Sequence, residues 1–425
     1  MSECQVASSE WANGEGHKCG GPEDISSGPL HPCTPAPLRV LVTDCDKRKS
    51  LPIVRALGKE GVQVICGSSD AFALSFFSKY CTRRVRYPSA DGHNSGAFIA
   101  WLTSFVSRQR ISVLIPLEEK IIAAVLENKA ELSQWTQIPF PDLPIFAQAM
   151  DKRLTLAIAE RAGVPIPKTY VVEKLDQVPQ IADEVDYPCV IKPRQSAGTR
   201  GLVYVRCKRE MDKYYEVHSV FPFPLIQEFI PNGGAYGVSV LLERRSNPIA
   251  VFTHKRLREF PVSGGPSTLC ESVRYPEIEA LALRLFKELG WYGVAQVEFR
   301  VDARDGVPRL MEINPRFWGS VALPIYGGIN FPYLLCKVAL SQDIQPIQDY
   351  QEGLRCRWLL PGDILHFVKN PHRFKLNPSF FRFADDKTCY YVLSRDDPLP
   401  TLGFLACGVR DLLSGQALKD IFSRG

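Results

Sequence analysis

The 425-residue chain lacks several features that would place it at a glance. No stretch approaches the ~18 consecutive apolar residues that a membrane-spanning helix needs. The first 37 residues are polar and hold no apolar segment of the kind a secretory leader carries. None of the 13 cysteines forms a C-x-x-C pair, so the common zinc and dithiol spacings are missing. An odd number of thiols in a chain this long reads as mostly reduced cysteine, hence a cytoplasmic setting. Charge of one sign is scarce in excess: 51 Lys and Arg against 46 Asp and Glu leave a formal +5. That is too little to argue for nucleic acid as a partner, and it fits an enzyme that handles anionic substrates. The expectation is therefore no nucleic acid and no membrane partner, while oligomeric state is not legible. Two glycine signatures for phosphate are absent as well. The first strand-to-helix turn, DCDKRKS at 44–50, contains no glycine, which argues against a G-x-G-x-x-G dinucleotide site. The G-x-x-x-x-G-K-[ST] pattern is not matched either.

What is present is ordinary globular composition, 45% hydrophobic and 23% charged, with length for two to three domains. Residues 1–37 are rich in Ser, Gly, Pro, Glu and Cys and read as a disordered tail. Cys4, Cys19, Cys33, His17 and His31 lie in it and could hold a metal, although scattered residues in a flexible leader is the favoured reading. Order starts at Leu38. LRVLVTD reads as a strand, SLPIVRALGKEG as an amphipathic helix stopped at Gly61, and VQVICGSS as a second strand, a βαβ unit. A helix over about 96–109, the strand ISVLIPL and the helix EEKIIAAVLENKAEL follow, so 38–150 is expected to be a doubly wound α/β domain. Lys47, Arg48 and Lys49 in its first turn could meet an anionic substrate; a solvated loop is the favoured alternative. Asp151 is a plausible N-cap for KRLTLAIAERAG, with Gly163 as stop. It opens a region spanning 151–340, strand-rich to about 315 and then helical at FPYLLCKVAL. Residues 341–425 form a C-terminal extension with aromatic-rich segments and no legible role.

The sharpest pattern is a hairpin at 294–316, within GVAQVEFRVDARDGVPRLMEINPR. Alternation puts Val297, Phe299 and Val301 on one face and Gln296, Glu298 and Arg300 on the other. On the return strand Met311 and Ile313 face one way, and Leu310, Glu312 and Asn314 the other. A three-residue loop Arg304–Gly306, with Gly306 left-handed, would pair Ala303 with Val307, Glu298 with Glu312 and Gln296 with Asn314. A two-residue Asp305–Gly306 turn would put the two acids on opposite faces. Both turns stay open. Two carboxylates directly opposed repel each other, and a divalent cation turns that repulsion into attraction. Oxygen ligands of this kind suit Mg²⁺. A solvated face with splayed acids is the competing reading. Asn314 adds a neutral oxygen, Pro315 ends the strand, and Arg316 could clamp a transferring phosphoryl group; these favour the metal.

Two further segments accompany the hairpin. In YPCVIKPRQSAGTRGLVYV a strand ends at Lys192, and RQSAGTRG could fold over phosphates with its backbone N–H groups or be a flexible polar loop. In PLIQEFIPNGGAYGVSVLLE, LIQEFI reads as a strand broken at Pro231-Asn232-Gly233-Gly234. Its end could offer backbone groups to an adenine edge and Glu228 to a ribose or amino group. Alone, that segment reads better as an edge strand with one exposed acid.

In this order, the pieces resemble the ATP-grasp superfamily over about 38–320, and look closest to its carbamoyl-phosphate synthase and biotin carboxylase-like branch. MEINPR is the most specific motif. The resemblance implies an α/β and α+β fold, a doubly wound α/β domain followed by an ATP-grasp domain with antiparallel sheets. It implies ATP with Mg²⁺ or Mn²⁺. Lys152 and Lys192 would bind the phosphates, and Gln227 through Ile230 would form the adenine hinge, with Glu228 its acid and Ile230 a backbone contact. Glu298, Glu312 and Asn314 would hold the metal, and Arg316 would steady the phosphoryl group and acyl-phosphate. One departure is GGAYG after the hinge, where many members carry a second acid for the ribose. THKRLREFPVSGGPSTLCESV and SRDDPLPTLGFL look like a bacterial subgroup of ATP-grasp carboligases. There His254, Lys255, Arg256 and Arg258 form a basic cluster before a mobile loop, with Lys255 and Arg256 expected at a carboxylate or acyl-phosphate. A surface strand of alternating charge is the alternative. The implied activity is ligation of small-molecule carboxylate and amine substrates through an acyl-phosphate. A small-molecule kinase, a carboxylase or a non-catalytic ATP-binding module remain alternatives.

Overall fold

Three sheets organise the chain. A computed structural model describes residues 37–90, 95–195, 201–218, 223–262, 264–347, 349–383 and 385–404. The N-terminal tail with its cysteines and histidines, the loop tip 196–200, Ser263 and everything after 404 lie outside the described residues.

The first sheet contains β1 (Arg39–Val42), β2 (Gln63–Ser68), β3 (Cys81–Arg86) and β4 (Val113–Ile115), in the order β3-β2-β1-β4 and all parallel. Both faces of β1 are covered, as parallel strands require. Val40 and Val42 join one core with Leu51, Val54 and Leu57 of the helix Ser50–Lys59. Leu41 joins another with Phe98, Leu102 and Val106 of the helix Ser95–Gln109. Asp44, at the end of β1, accepts from the N–H groups of Leu117 (3.1 Å) and Glu118 (3.0 Å). One buried carboxylate thus fixes the loop after β4 against the loop after β1.

The small second sheet contains β5 (Thr169–Tyr170), β6 (Cys189–Lys192), β7 (Val203–Val205) and β8 (Leu225–Glu228), in the antiparallel order β5-β8-β6-β7. Cys189, Ile191, Val205, Met211 and Ile226 give it a core of its own. The large third sheet contains β9 (Asn232–Leu242), β10 (Pro248–Glu259), β11 (Ser267–Ser272), β12 (Gly293–Asp302), β13 (Pro308–Asn314), β14 (Arg355–Arg357) and β15 (Thr388–Tyr390). Its order is β13-β12-β9-β10-β11-β14-β15, antiparallel except for β14–β15. The expected class, a parallel α/β unit followed by antiparallel sheets, is what is observed. The first and third sheets share a core in which Val40 and Leu57 meet Leu241, Phe252 and Phe331.

One boundary differs from expectation. The chain breaks at 229–231, and β9 already runs from Asn232 through Gly233 and Gly234. Gly233 serves close approach instead of a turn: a Cβ there would lie 2.9 Å from the Val301 carbonyl oxygen. Among the described residues no helix is long and apolar enough to cross a membrane.

Candidate functional site

The hairpin β12–β13 brings Glu298 opposite Glu312 and Gln296 opposite Asn314, but by neither turn that the sequence offered. The Gly306 N–H donates to the Asp302 carbonyl (2.8 Å) and the Asp302 N–H to that of Val307 (3.0 Å). The loop is therefore the four residues 303–306, with Gly306 at φ +75°. Continued outward, that even loop would set Glu298 against Met311. A bulge intervenes: Phe299 pairs with Leu310 while Glu298 pairs with Glu312, leaving Met311 as the extra residue. The bulge also corrects the expected face of Leu310. It packs in the core with Phe299 and Ile313, not beside Glu312 and Asn314.

Two lysines face this hairpin. Lys152 is the first residue of the helix Lys152–Arg161, whose N-cap Asp151 accepts from the Arg153 and Leu154 N–H groups. Asp151 also pairs with Arg194 just beyond β6, and the Lys152 N–H donates to the Arg194 carbonyl (3.0 Å). The helix start and the end of β6 are thereby tied together. Lys192 ends β6. Its ammonium lies 3.5 Å from the Met311 carbonyl, and that of Lys152 lies 3.4 Å from a Glu312 oxygen. Both lysines are buried.

The charges here oppose one another in pairs. Burial, then Lys152, pulls Lys192 down to about 7 against the weaker pull of Glu312. Burial and Glu298 raise Glu312. Burial also acts on Glu298, but Arg256, His254 and Arg316 outweigh it and hold that carboxyl below its usual range. Arg256 donates to Glu298 (2.8 Å), and the Asn314 amide donates to Glu298 (3.3 Å) and Gln296 (3.4 Å). The Asn314 oxygen is the atom left for a cation. Arg316 pairs with Glu119 (2.9 Å), and Lys49 with Glu118 (2.8 Å). Burial and Arg316 lower Lys49 to about 8. The loops at the carboxyl ends of β1 and β4 thus reach the end of the acidic hairpin.

Several expected residues stand elsewhere. Along β10, alternation points Arg256 toward Glu298 and Lys255 away from it, to 5.8 Å over the Tyr236 ring. His254 is not part of a basic cluster; burial and Arg256 lower it to about 4. It presses on β9 so closely that a Cβ at Gly237 would lie 2.4 Å from its ring. Arg258 turns to the buried Asp363 (2.8 Å), which also holds Arg357 (2.6 Å), a structural network. Of the four basic residues, only Arg256 reaches the acids. In the hinge, register places Gln227 on the face of Lys192 and Glu228 on the opposite one. Glu228 accepts from the Lys168 N–H (2.9 Å) and Arg304 (3.0 Å). Gln227 donates to Thr169 (2.7 Å), and Ile230 is buried where the chain leaves β8. Glu118, Glu119 and the Asp151–Arg194 tie were not foreseen. Two successive glutamates before an apolar helix were their only trace in the sequence.

The residues present fit a divalent ion bound with a polyphosphate. Among the described residues no three His, Cys, Asp or Glu side chains converge to hold a metal by themselves. Glu298, Glu312 and Asn314 offer two carboxylates and an amide oxygen, a partial set of donors that a hard ion would complete with further oxygen ligands.

A β-hairpin with opposed acids is thus set against a small sheet and a helix start that each contribute a lysine. The ATP-grasp domain family model matches residues 149–320, which contain all of these elements. Over that part the chain is similar to the ATP-grasp domain family. The N-terminal section of the carbamoyl phosphate synthase large chain from Methanopyrus kandleri is 22% identical over 244 residues, 55% of this chain and 43% of that one. A D-alanine–D-alanine ligase from Pelotomaculum thermopropionicum is 27% identical over 237 residues, 49% of this chain and 73% of that one. The chain thus spans less than half of the first relative. In fold it is similar to a biotin carboxylase from Campylobacter jejuni, solved as a β-γ-ATP complex, with a TM-score of 0.62 at 17% identity over 75% of this chain and 74% of that one. It is also similar to N5-carboxyaminoimidazole synthetase from Staphylococcus aureus, with a TM-score of 0.61 at 12% identity over 75% and 80% of the two chains.

Proposed function

We propose that the chain is an ATP-dependent carboxylate–amine ligase that works through an acyl-phosphate. The reading is carried by one observation: two buried lysines face two opposed, largely buried glutamates. Each pair repels itself, which a fold built for stability alone would avoid. A metal–polyphosphate relieves both repulsions at once. In this reading Lys152 and Lys192 bind the phosphates and Gln227 through Ile230 line the adenine. Glu298, Glu312 and Asn314 hold Mg²⁺ or Mn²⁺, and Arg316 steadies the transferring phosphoryl group. Arg256 is the counter-charge of Glu298 when no cation is bound. The site would supply a base contact from Gln227 and backbone, with the Glu228 side chain engaged elsewhere.

An oxygen of the substrate carboxylate attacks the γ-phosphorus, and the bond from that phosphorus to the bridging oxygen breaks. ADP leaves, and an acyl-phosphate remains. The amine nitrogen then attacks the acyl carbon, the C–N bond forms, phosphate departs, and the nitrogen gives its surplus proton to solvent. A divalent ion, which Glu298, Glu312 and Asn314 would hold, would offset the charge that develops on the phosphates. The protein contributes position and charge, and no side-chain nucleophile is needed. The similarity to a D-alanine–D-alanine ligase supports amide formation between small molecules. All nine cysteines among the described residues are free thiols, which agrees with action in the reducing cytoplasm.

The test is ADP release by the full chain with Mg-ATP, screened over pairs of carboxylates and amines. ADP release that needs both partners and yields an amide is expected. A stable phosphorylated or carboxylated product with no amine requirement, or nucleotide binding without ADP release, would sink the ligase reading. Glu312→Gln should cut turnover at least ~100-fold, the scale of a lost electrostatic contact in a reacting site. Circular dichroism should show the variant folded; wild-type turnover would remove Glu312 from the metal site.

A further inference from the structure

Arg48 carries a charge that the fold leaves unanswered. Its guanidinium carbon lies 3.7 Å from the ring centre of Trp358 and 4.6 Å from that of Tyr391, both from the C-terminal extension. Its Nη1 is buried without a hydrogen-bond partner. Among the described residues no acid stands near enough to oppose the burial of its charge. The cations around it are different: Lys49 has Glu118, Arg316 has Glu119 and Arg357 has Asp363. A guanidinium does not shed its proton, so leaving it without an anion is costly.

The geometry says where an anion would sit. Two aromatic rings pack against the guanidinium, whose edge carries its N–H donors. Such an edge matches the two oxygens of a carboxylate. Beside it is Gly319, where a Cβ would lie 3.4 Å from Nη2. Gly319 is exposed and its backbone is not left-handed, and a Cβ there would come only into van der Waals contact with the guanidinium. The Nη2 end of the edge therefore lies beside an exposed backbone position, three residues beyond Arg316. The helix Ser50–Lys59 starts two residues after Arg48 with no acid in its first turn and no side-chain cap, which adds its positive pole.

We propose that Arg48, held between Trp358 and Tyr391, receives a substrate carboxylate that is not consumed in the reaction. At least one substrate then carries an extra carboxylate: the amine is an α-amino acid, or the acid is a dicarboxylate. One unpaired monocation answers one carboxylate, whereas a phosphate dianion would leave surplus charge. The assignment rests on the ligase reading for the word substrate, but the binding itself needs no nucleotide. It gives the extension a task, since Trp358 and Tyr391 shape the receptor.

The experiment is a titration of the nucleotide-free full chain followed by tryptophan fluorescence, with Trp358→Phe identifying the reporting indole. Probes are L-alanine against ethylamine, and succinate against butyrate, which separate the two sources of carboxylate. Saturable binding of L-alanine but not ethylamine, or of succinate at least ~10-fold tighter than butyrate, is expected. Arg48→Met should weaken it at least ~10-fold, the scale of a lost charge-assisted bond pair. Gly319→Val, which leaves Arg48 and its aromatic neighbours in place, should do the same by filling the edge. Wild-type binding in a folded Arg48→Met, or in Gly319→Val should Arg48→Met not fold, overturns the proposal. So does binding that fails to separate the probes within each pair. Mg-ATP binding is measured on the same samples. Its absence with carboxylate binding intact would remove the ligase reading and leave the receptor standing, and the converse result would do the opposite.

Discussion

Lys192 shows how much of a residue's chemistry depends on its surroundings. Burial and the neighbouring Lys152 lower it to about 7, so at pH 8 the ligand-free protein holds it mostly neutral. Phosphates favour the charged form. Its pKa should then be higher in the complex, and nucleotide binding should take up a proton at pH 8. Affinity from this group is full below about 7 and falls as pH rises toward the complex's value. Calorimetry of Mg-ATP binding at pH 8 in two buffers of different ionisation heat should detect that uptake. Lys192→Met should lose it and bind more weakly; equal proton counts in both proteins would contradict the phosphate role. That Lys192 ends a strand before a glycine-bearing loop was readable in the sequence. That Lys152 stands next to it was not, because 40 residues and a helix separate them in the chain. The same limit explains Lys255, whose basic neighbours in sequence said nothing about which side of β10 it occupies.

Elements meet at two devices, one visible in the sequence and one hidden. Asp151 is legible as an N-cap, since an acid precedes a helical run. Its second bond, to Arg194, crosses between chain segments. Asp151→Ala should lose at least about 1 kcal/mol of unfolding free energy in urea from the cap alone. It should also weaken Mg-ATP binding, because Lys152 and the end of β6 lose their common anchor. A variant with lower stability but unchanged nucleotide affinity would reduce Asp151 to a simple cap. The hidden device is the bulge at Met311. Period-two alternation has no marker for an extra residue, so reading the strand alone put Leu310 on the wrong face. The acids still ended opposite each other because a loop one residue longer than the three-residue turn and a bulge of one residue compensate. The bulge also turns the Met311 carbonyl toward Lys192.

Across the molecule, the C-terminal segment completes what the rest begins. β14 and β15 extend the large sheet beyond β11, and Asp363 neutralises Arg258 from β10 and Arg357 from β14. Asp363→Ala would leave two buried guanidinium groups without that carboxylate. Breaking such a network costs about 3–5 kcal/mol. Chemical denaturation should show a loss of that size, and limited proteolysis should cut first between residues 341 and 404. A loss under about 1 kcal/mol would mean that the arginines find other partners. No sequence pattern marked this network, because Asp363 lies 105 positions from Arg258.

The amino-acid sequence by itself determined the parallel α/β start, the strand-rich region that follows and an acid-bearing hairpin that ends in Asn-Pro-Arg. These are local properties, set by hydrophobic period, caps and turn residues over a few positions. Only the tertiary structure decided which of these side chains meet. It turned Arg256 toward the acids and Lys255 away. It drew Arg258 into a structural network and brought Arg48 between two rings from the far end of the chain. Those outcomes depend on register, on one unpaired residue in β13, and on contacts between segments distant in sequence, and none of them leaves a periodic trace.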